Sequence, residues 1–583
     1  MGDHMVKADL LLLHPPNVYD FRSRFIHFGP ISDGVPPTPI FEMYPLGFVS
    51  LLTYLSKRGW KIRIFNLALK MLNDPKFDVE GFLRKLNVKL IGLDLHWLIH
   101  CHGCFEIAKL IKKYHPNTPI VLGGLSATYY YREIMENYPQ VDFIIRGDSA
   151  EKPLDMLMER LEKRASLDSI PNLVWRDGDK IKVNPFTYVP NTLDDYVLDY
   201  SYVVKSVLSS LDLEAHKPFK LWEEYPCTSV FVVKGCLFNC AVCGGARCAY
   251  ERFYNRLKPA FKKPEQLAYE ISSIAEYVKG PIYVIGEPRQ KSLSYAEEVL
   301  NAIKSTKVDN PIIIELFYPA SSGYLRKIRS STSRFGLQIS PETHDDELRL
   351  FYGRTYRNKM LEACLEEALK LDITSFDIFF TIGIPFQTQE SIGDTLKFID
   401  HLLSKYGPKL NVFILPVAPY VDPGSPAFEN PARYGYRIIY RSLEEHRRAL
   451  EMPCWLHWLN FESLSLPKIA FSNAIYAAGI ELNLIKLKYG ILNEDEVDFR
   501  IRKIYEAKTL VDELSNRVRE GVFYSKKDIG YREAFLNEIT DGELFSKRDF
   551  RINAEIGLKK LSSIKLLFKE LCLSFGHKYS KSL

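Results

Sequence analysis

The chain of 583 residues is too long for one hydrophobic core, and domains of about 100 to 200 residues imply three or four of them. Hydrophobic residues at 46% and charged residues at 26% are globular values, and 77 basic against 72 acidic groups leave a net charge of +5, too small an excess to require a nucleic-acid partner. With no stretch of about 18 uninterrupted apolar residues and no secretory leader, a cytoplasmic protein is expected, at most peripheral to a membrane.

Apolar runs and helical periodicity alternate along the first third. From Asp9 the run DLLLLHPP has the pattern of a strand buried on both faces. A helix over 48–58, stopped by Gly59, leads into a strand over 61–65. The alternation continues as strand 90–95, helix 104–114, strand 119–123, helix 128–137 and strand 143–146. Such βα units predict a parallel, doubly wound sheet over residues 6–165. Gly123 and Gly124 follow a strand, where a missing side chain lets a ligand or another backbone approach. His100 and Cys101-His102-Gly103-Cys104 crowd four potential ligands into five residues, too tight for one tetrahedral site, and read as a helix N-terminus. Residues 166–226 are expected as a linker containing a β-hairpin over 171–189, turned at Asp177-Gly178.

After a predicted strand over 229–233 comes CLFNCAVC, with Cys236, Cys240 and Cys243 in CxxxCxxC spacing. Three thiolates can hold three irons of a [4Fe–4S] cube and leave the fourth open to a chelating ligand, whereas an electron-carrying cluster normally takes a fourth cysteine. Zinc frameworks usually pair two CxxC units or add a histidine pair. Cys227, Cys248, Cys364, Cys454 and Cys572 form no second spaced triplet, so no auxiliary cluster is expected. Helices then alternate with strands over 282–285, 312–317, 336–340, 375–382 and 410–415, which predicts a partial six-stranded parallel barrel over 227–425 with its chemistry at the C-terminal strand ends. Those ends carry Gly286-Glu287-Pro288, then Ser340-Pro341-Glu342-Thr343 with Arg354 beyond, then Gly383-Ile384-Pro385.

The triplet, with Lys234 and Gly235 before it, Val242 inside it and Gly244-Gly245 after it, resembles the radical SAM superfamily. The resemblance implies that the open iron binds S-adenosylmethionine and that its cleavage yields a 5′-deoxyadenosyl radical, which abstracts hydrogen from unreactive carbon. It implies that Gly286 and Glu287 receive the methionine ammonium, that Ser340 and Glu342 bond the ribose hydroxyls or the methionine carboxylate, that Arg354 pairs with a carboxylate, and that the Gly383 to Pro385 turn packs beside adenine. YPLG at 44–47, VLGG at 121–124 and RGDSAEKP at 146–153 resemble the cobalamin-binding domain that precedes many such barrels. Domains that ligate cobalt through the protein use Asp-x-His-x-x-Gly, and here Asp94-Leu95-His96-Trp97-Leu98-Ile99 puts Ile99 where the glycine belongs. Cobalt ligation by His96 is therefore not expected, and cobalamin is left open but disfavoured. The fold expected is α/β: an N-terminal doubly wound, Rossmann-like sheet, a partial (β/α)6 radical SAM barrel, and a helical C-terminal domain.

Residues 426–583 show long helical periodicity, with Trp455, Trp458 and Phe461 ahead of an apolar stretch over 470–492. These helices are expected to close the barrel mouth into a long apolar channel, and a basic amphipathic segment over 552–575 to rest on anionic headgroups. IGLDLHWLIHCHG, GGLSATYY and SPETH resemble an archaeal group of radical SAM proteins related to tetraether ring synthases. The leading expectation is thus an enzyme that forms cyclopentane rings in archaeal tetraether lipids, with an apolar or lipid substrate and a ferredoxin or flavodoxin as electron donor. The alternatives are a cobalamin-dependent radical SAM methyltransferase and an iron–sulfur redox-sensing or scaffold protein. The turns at Glu287, Glu342 and Gly383 disfavour the last.

Overall fold

The computed structural model of the protein describes residues 6–24, 26–27, 29–35 and 40–519. The basic segment over 552–575 and Cys572 lie outside the described residues.

The first layer is a seven-stranded sheet of β1 (Val6–His14), β2 (Ile62–Asn66), β3 (Leu86–Asp94), β4 (Ile120–Gly123), β5 (Phe143–Ile145), β6 (Leu173–Asp177) and β7 (Lys180–Val183), in the order β2-β1-β3-β4-β5-β6-β7. The first five strands are parallel, with the order reversing beside β1, so that a crevice opens at their C-terminal ends. Leu10 to Leu13 of β1 are all at most 2% exposed, which explains four consecutive leucines in one strand: helices cover both faces. Each such side chain contributes about 1.5–3 kcal/mol on burial. The hairpin expected within a linker is instead part of this sheet: β6 pairs antiparallel with β5, and β7 with β6. The single helix expected over 128–137 is two helices, Leu125–Tyr129 and Tyr131–Asn137, hinged at Tyr130.

The second layer is a six-stranded, wholly parallel sheet of β8 (Thr228–Phe231), β11 (Ile282–Ile285), β12 (Ile312–Leu316), β13 (Phe335–Glu342), β14 (Phe376–Ile382) and β15 (Leu410–Pro416), in that order from edge to edge. Between β8 and β11 a short antiparallel ribbon, β9 (Val233–Lys234) with β10 (Ala260–Phe261), flanks the cysteine loop. The partial barrel is open at β8 and β15.

The C-terminal helices lie along the β15 side. Helix Lys468–Lys488 packs on β14, β15 and helix Gln389–Tyr406, while the N-terminal loop reaches the same edge, where the Ile414 N–H donates to Ser32 Oγ at 3.1 Å. Asp33 of that loop accepts from Lys486 Nζ at 2.8 Å and Arg500 Nη1 at 2.6 Å, and all three side chains are buried. Burial alone would raise the Asp33 carboxyl, but the two cations outweigh it and hold it below the usual range. β16 (Tyr436–Ile438) pairs with β17 (Phe461–Ser463), and Trp455 and Trp458 between them are core. Trp455 is 1% exposed against Gly29, its indole N–H donating to the Tyr476 hydroxyl at 3.4 Å, and Trp458 donates to the Met452 carbonyl at 3.0 Å. Among the described residues no helix is long and apolar enough to cross a membrane.

Candidate active site

Gly235 turns the chain out of β9 at φ +92°, and a Cβ there would meet Arg256 Cδ at 2.8 Å, so only glycine fits. The cysteine loop that follows is pinned to the barrel. Leu237 N–H donates to Gln290 Oε1 at 2.8 Å and Ala241 N–H to the Tyr352 carbonyl at 2.7 Å. Gly353 (φ +117°) lies so close beneath that a Cβ would meet Asn239 O at 2.8 Å and Cys240 Cα at 3.0 Å. All nine described cysteines are free thiols. Cys236 Sγ accepts the Phe238 N–H at 3.4 Å and Cys243 Sγ the Gly245 N–H at 3.3 Å, contacts that suit thiolate sulfurs bound to iron. Burial pushes the Cys236 thiol up to about 11 and raises Cys240 as well, so these sulfurs ionise only with a cationic partner such as iron. Among the described residues no three ligand side chains gather closely enough for one metal ion. A cube does not ask for that, because each cysteine binds a different iron. The triplet therefore fits a [4Fe–4S] cluster with an open iron.

The strand ends converge on this loop, with unequal results for the predicted residues. Gly286 (φ +94°) closes β11 against Val233, where a Cβ would meet Val233 Cγ1 at 2.6 Å. Glu287, expected to receive an ammonium, is fully buried and taken up by Arg289 at 2.6 and 2.8 Å. It is a structural ion pair, closed by a guanidinium two residues away. Ser340 is half-buried, its hydroxyl making no hydrogen bond to a described residue. Glu342 sits past a register shift in β13 at φ +67°, a conformation that costs a non-glycine residue about 1–3 kcal/mol. It accepts from Arg354 at 2.6 and 3.0 Å and from the Thr381 hydroxyl at 2.6 Å, so Arg354 has its carboxylate within the protein. Gly383 (φ +95°) and Pro385 are buried under the C-terminal helices, with Phe471 against Gly383 and the Tyr436 hydroxyl donating to the Gly383 carbonyl at 2.6 Å.

Sequence reasoning passed over Glu315. It stands on β12 among Ile312, Ile313, Ile314 and Leu316, and its Oε2 accepts the Gly286 N–H at 2.7 Å. A carboxylate inside an otherwise apolar strand was the available signal.

The C-terminal edge of the seven-stranded sheet faces the cysteine loop. Asp148, in the loop after β5, binds Arg256 through two bonds of 2.5 and 2.8 Å, and its carbonyl accepts from Lys234 Nζ at 2.7 Å. The Tyr129 ring lies tilted against Phe253, centroids 4.8 Å apart, and its hydroxyl donates to Glu429 at 2.7 Å. On the same edge Asp94 is bonded to His14 Nδ1 at 2.8 Å, not to His96. His96 runs hard against Gly124 (φ +114°), where a Cβ would fall 2.5 Å from His96 Cα. Gly103, the late glycine of the loop, has a packing role, since a Cβ there would overlap the Pro16 carbonyl.

Residues 38–154 match the B12 binding domain family and residues 230–399 the radical SAM superfamily. Over 336 residues the chain is 20% identical to an uncharacterized methyltransferase of Pyrococcus horikoshii, covering 56% of this chain and 67% of the relative. It is 24% identical over 222 residues to the hopanoid C-3 methylase of Methylococcus capsulatus, covering 36% of this chain and only 38% of that enzyme. The fold is similar to that of TsrM, a radical S-adenosylmethionine methyltransferase from Kitasatospora setae solved with cobalamin and a [4Fe–4S] cluster, at a TM-score of 0.57 and 14% identity over 92% of this chain and 99% of that one. Ile99, read above as disfavouring cobalamin, thus lies inside a domain of B12-binding type, and it bears on how cobalt is held more than on the type of domain. The chain joins a B12-binding domain to a radical SAM domain, and the protein is a radical SAM enzyme.

Proposed function

We propose that the protein is a cobalamin-dependent radical SAM methyltransferase. The observation that carries this reading is the bracket of Asp148, Arg256 and Lys234, which ties the ligand edge of the B12-type sheet to the residue next but one before Cys236. When bound, the cluster supplies the electron that cleaves S-adenosylmethionine, and cobalamin supplies a methyl carrier. The protein's own part is to hold and orient. Cys236, Cys240 and Cys243 would hold the cube, and the loops at 94–98, 123–126 and 146–150 would hold the corrin beside it. Ser340 offers a free hydroxyl for the ribose, while Gly286 and Gly383 let backbone approach the ligand. Asp94 is engaged by His14 and cannot steady His96 as a ligand, which supports cobalamin held without a protein nitrogen on cobalt.

The matched methyltransferase and hopanoid methylase support methyl transfer as the outcome. Trp455 and Trp458 are core, so neither supplies a wall for a lipid channel. An apolar substrate and a small iron–sulfur or flavin protein as electron donor stay part of the proposal. The test is anaerobic reconstitution with iron, sulfide and hydroxocobalamin, followed by S-adenosylmethionine labelled in its methyl group. One cobalamin per chain, with 5′-deoxyadenosine and S-adenosylhomocysteine both released and label appearing in product, is expected. A loaded cluster that cleaves S-adenosylmethionine while the protein binds no cobalamin would overturn it.

A further inference from the structure

Three carboxylates stand on or directly after the adjacent strands β11, β12 and β13, and their hydrogen bonds separate them. Both oxygens of Glu287 are engaged: Oε1 accepts Arg289 Nε at 2.8 Å and the Arg289 N–H at 3.0 Å, and Oε2 accepts Arg289 Nη2 at 2.6 Å and the Phe317 N–H at 3.2 Å. Both oxygens of Glu342 are engaged as well, one by Arg354 and the other by Thr381. Each of these two carries its own guanidinium, so each pair is neutral. Glu315 differs. Its Oε2 accepts the Gly286 N–H at 2.7 Å, while Oε1 makes no hydrogen bond to a described residue and no cation is salt-bridged to it among them. Its electrostatic neighbours are Arg354, Glu287 and the cluster ligand Cys236, which puts it on the cluster side of the barrel. Burial raises its carboxyl, against the pull of the Gly286 N–H and Arg354.

A half-buried carboxylate with one open acceptor and no ion-paired partner is a ready place for a cation to dock. The ligand of a radical SAM site brings one, because S-adenosylmethionine carries an ammonium and a sulfonium against a single carboxylate. We propose that Glu315, and not Glu287, is the acceptor of the methionine ammonium in this protein. The assignment rests on the radical SAM reading. Gly286 then has a second task, since its N–H orients Glu315 while its missing side chain leaves the approach clear. Glu287 and Arg289 act together as a strut that shapes the turn.

The experiment uses the full chain with its cluster reconstituted, and measures the S-adenosylmethionine Kd by equilibrium dialysis together with the change in the reduced cluster's EPR signal on adding it. Glu315→Gln, isosteric and neutral, is expected to weaken binding about tenfold or more, as loss of a charge-assisted hydrogen bond does, with unchanged iron content and an unchanged signal before ligand is added. Glu287→Gln is expected to bind within about threefold of the parent. The deaminated analogue of S-adenosylmethionine, which lacks the ammonium, should bind the parent and Glu315→Gln equally. Binding by Glu315→Gln within threefold of the parent, or an analogue that still discriminates between them, overturns the assignment. A parent protein whose cluster signal ignores S-adenosylmethionine overturns the radical SAM reading, and the assignment with it.

Discussion

Asp148→Asn tests the bracket between the two domains. The Asp148 and Arg256 side chains are 7% and 1% exposed, so the pair is screened little by solvent. The substitution keeps the shape, removes one charge and leaves the guanidinium buried against an amide. Breaking a buried pair from one side costs about 3–5 kcal/mol. Arg256 keeps its bond to the Pro190 carbonyl at 2.8 Å and the new amide oxygen still accepts one bond, which places the loss near the low end, about 3 kcal/mol. Gly235 lies directly on Arg256, and Lys234 on Asp148, so the loss should fall on residues 235–243. Hydrogen exchange of those amides in the cluster-free chain reads the local opening free energy, and about 3 kcal/mol corresponds to exchange roughly 150-fold faster. A cycle with Arg256→Met should return a coupling of at least about 1.5 kcal/mol. Effects that add to within about 0.5 kcal/mol, or a loop whose exchange is unchanged, would refute the reasoning.

Replacing Cys236, Cys240 or Cys243 by Ala should abolish S-adenosylmethionine cleavage and the cluster's EPR signal, whereas Cys248→Ala should leave iron content intact; full iron in Cys240→Ala contradicts this. Gly353→Ala combines an unfavourable φ with three backbone contacts of 3.0 Å or less and should cost at least about 2 kcal/mol in urea unfolding and lower iron per chain. His96→Ala should leave the cobalamin absorption spectrum and stoichiometry unchanged, and loss of bound cobalt would show that His96 is a ligand after all. His216 and His446 are buried, each with both ring nitrogens hydrogen-bonded, and burial lowers each to about 4. Below about pH 6.5 the unfolded chain takes up these protons and the folded chain does not, so stability is full above 6.5 and falls as pH drops toward 4, by about 3 kcal/mol per histidine; a flat urea midpoint from pH 7 to 4.5 would count against both.

The cysteine loop and the glycine turns at strand ends could be read from the chain because their geometry is local: spacing sets which thiols share a cluster, and a positive φ demands glycine. Charge partners are not local in that sense. Nothing in Glu287-Pro288-Arg289 tells which carboxylate the guanidinium will take, and only the folded turn shows that it closes on its neighbour and leaves Glu315 open. Period-two alternation did put Glu315 on the face of Ile313, but three isoleucines before it made the strand look apolar throughout. The hairpin read as a linker because β6 joins the sheet through Phe143 and Trp175, a pairing across 32 residues that no turn residue encodes. The core position of Trp455 was not legible since its cover, His27 and Gly29, comes from the far end of the chain.

Synthesis runs from the amino end, and this gives the Asp33 triad a place in time. The cations that neutralise Asp33 are made 453 and 467 residues after it. All six barrel strands and the three cysteines leave the ribosome first, while the β15 flank still lacks the helices that seal it. Domains generally form as units in order of synthesis. The seam between the two termini is therefore the last to close, and the partial barrel passes through an interval in which its cofactor side is built but its flank is open. Truncation before Lys486 would strand Asp33 without its counter-charges and hold the chain in that unsealed form.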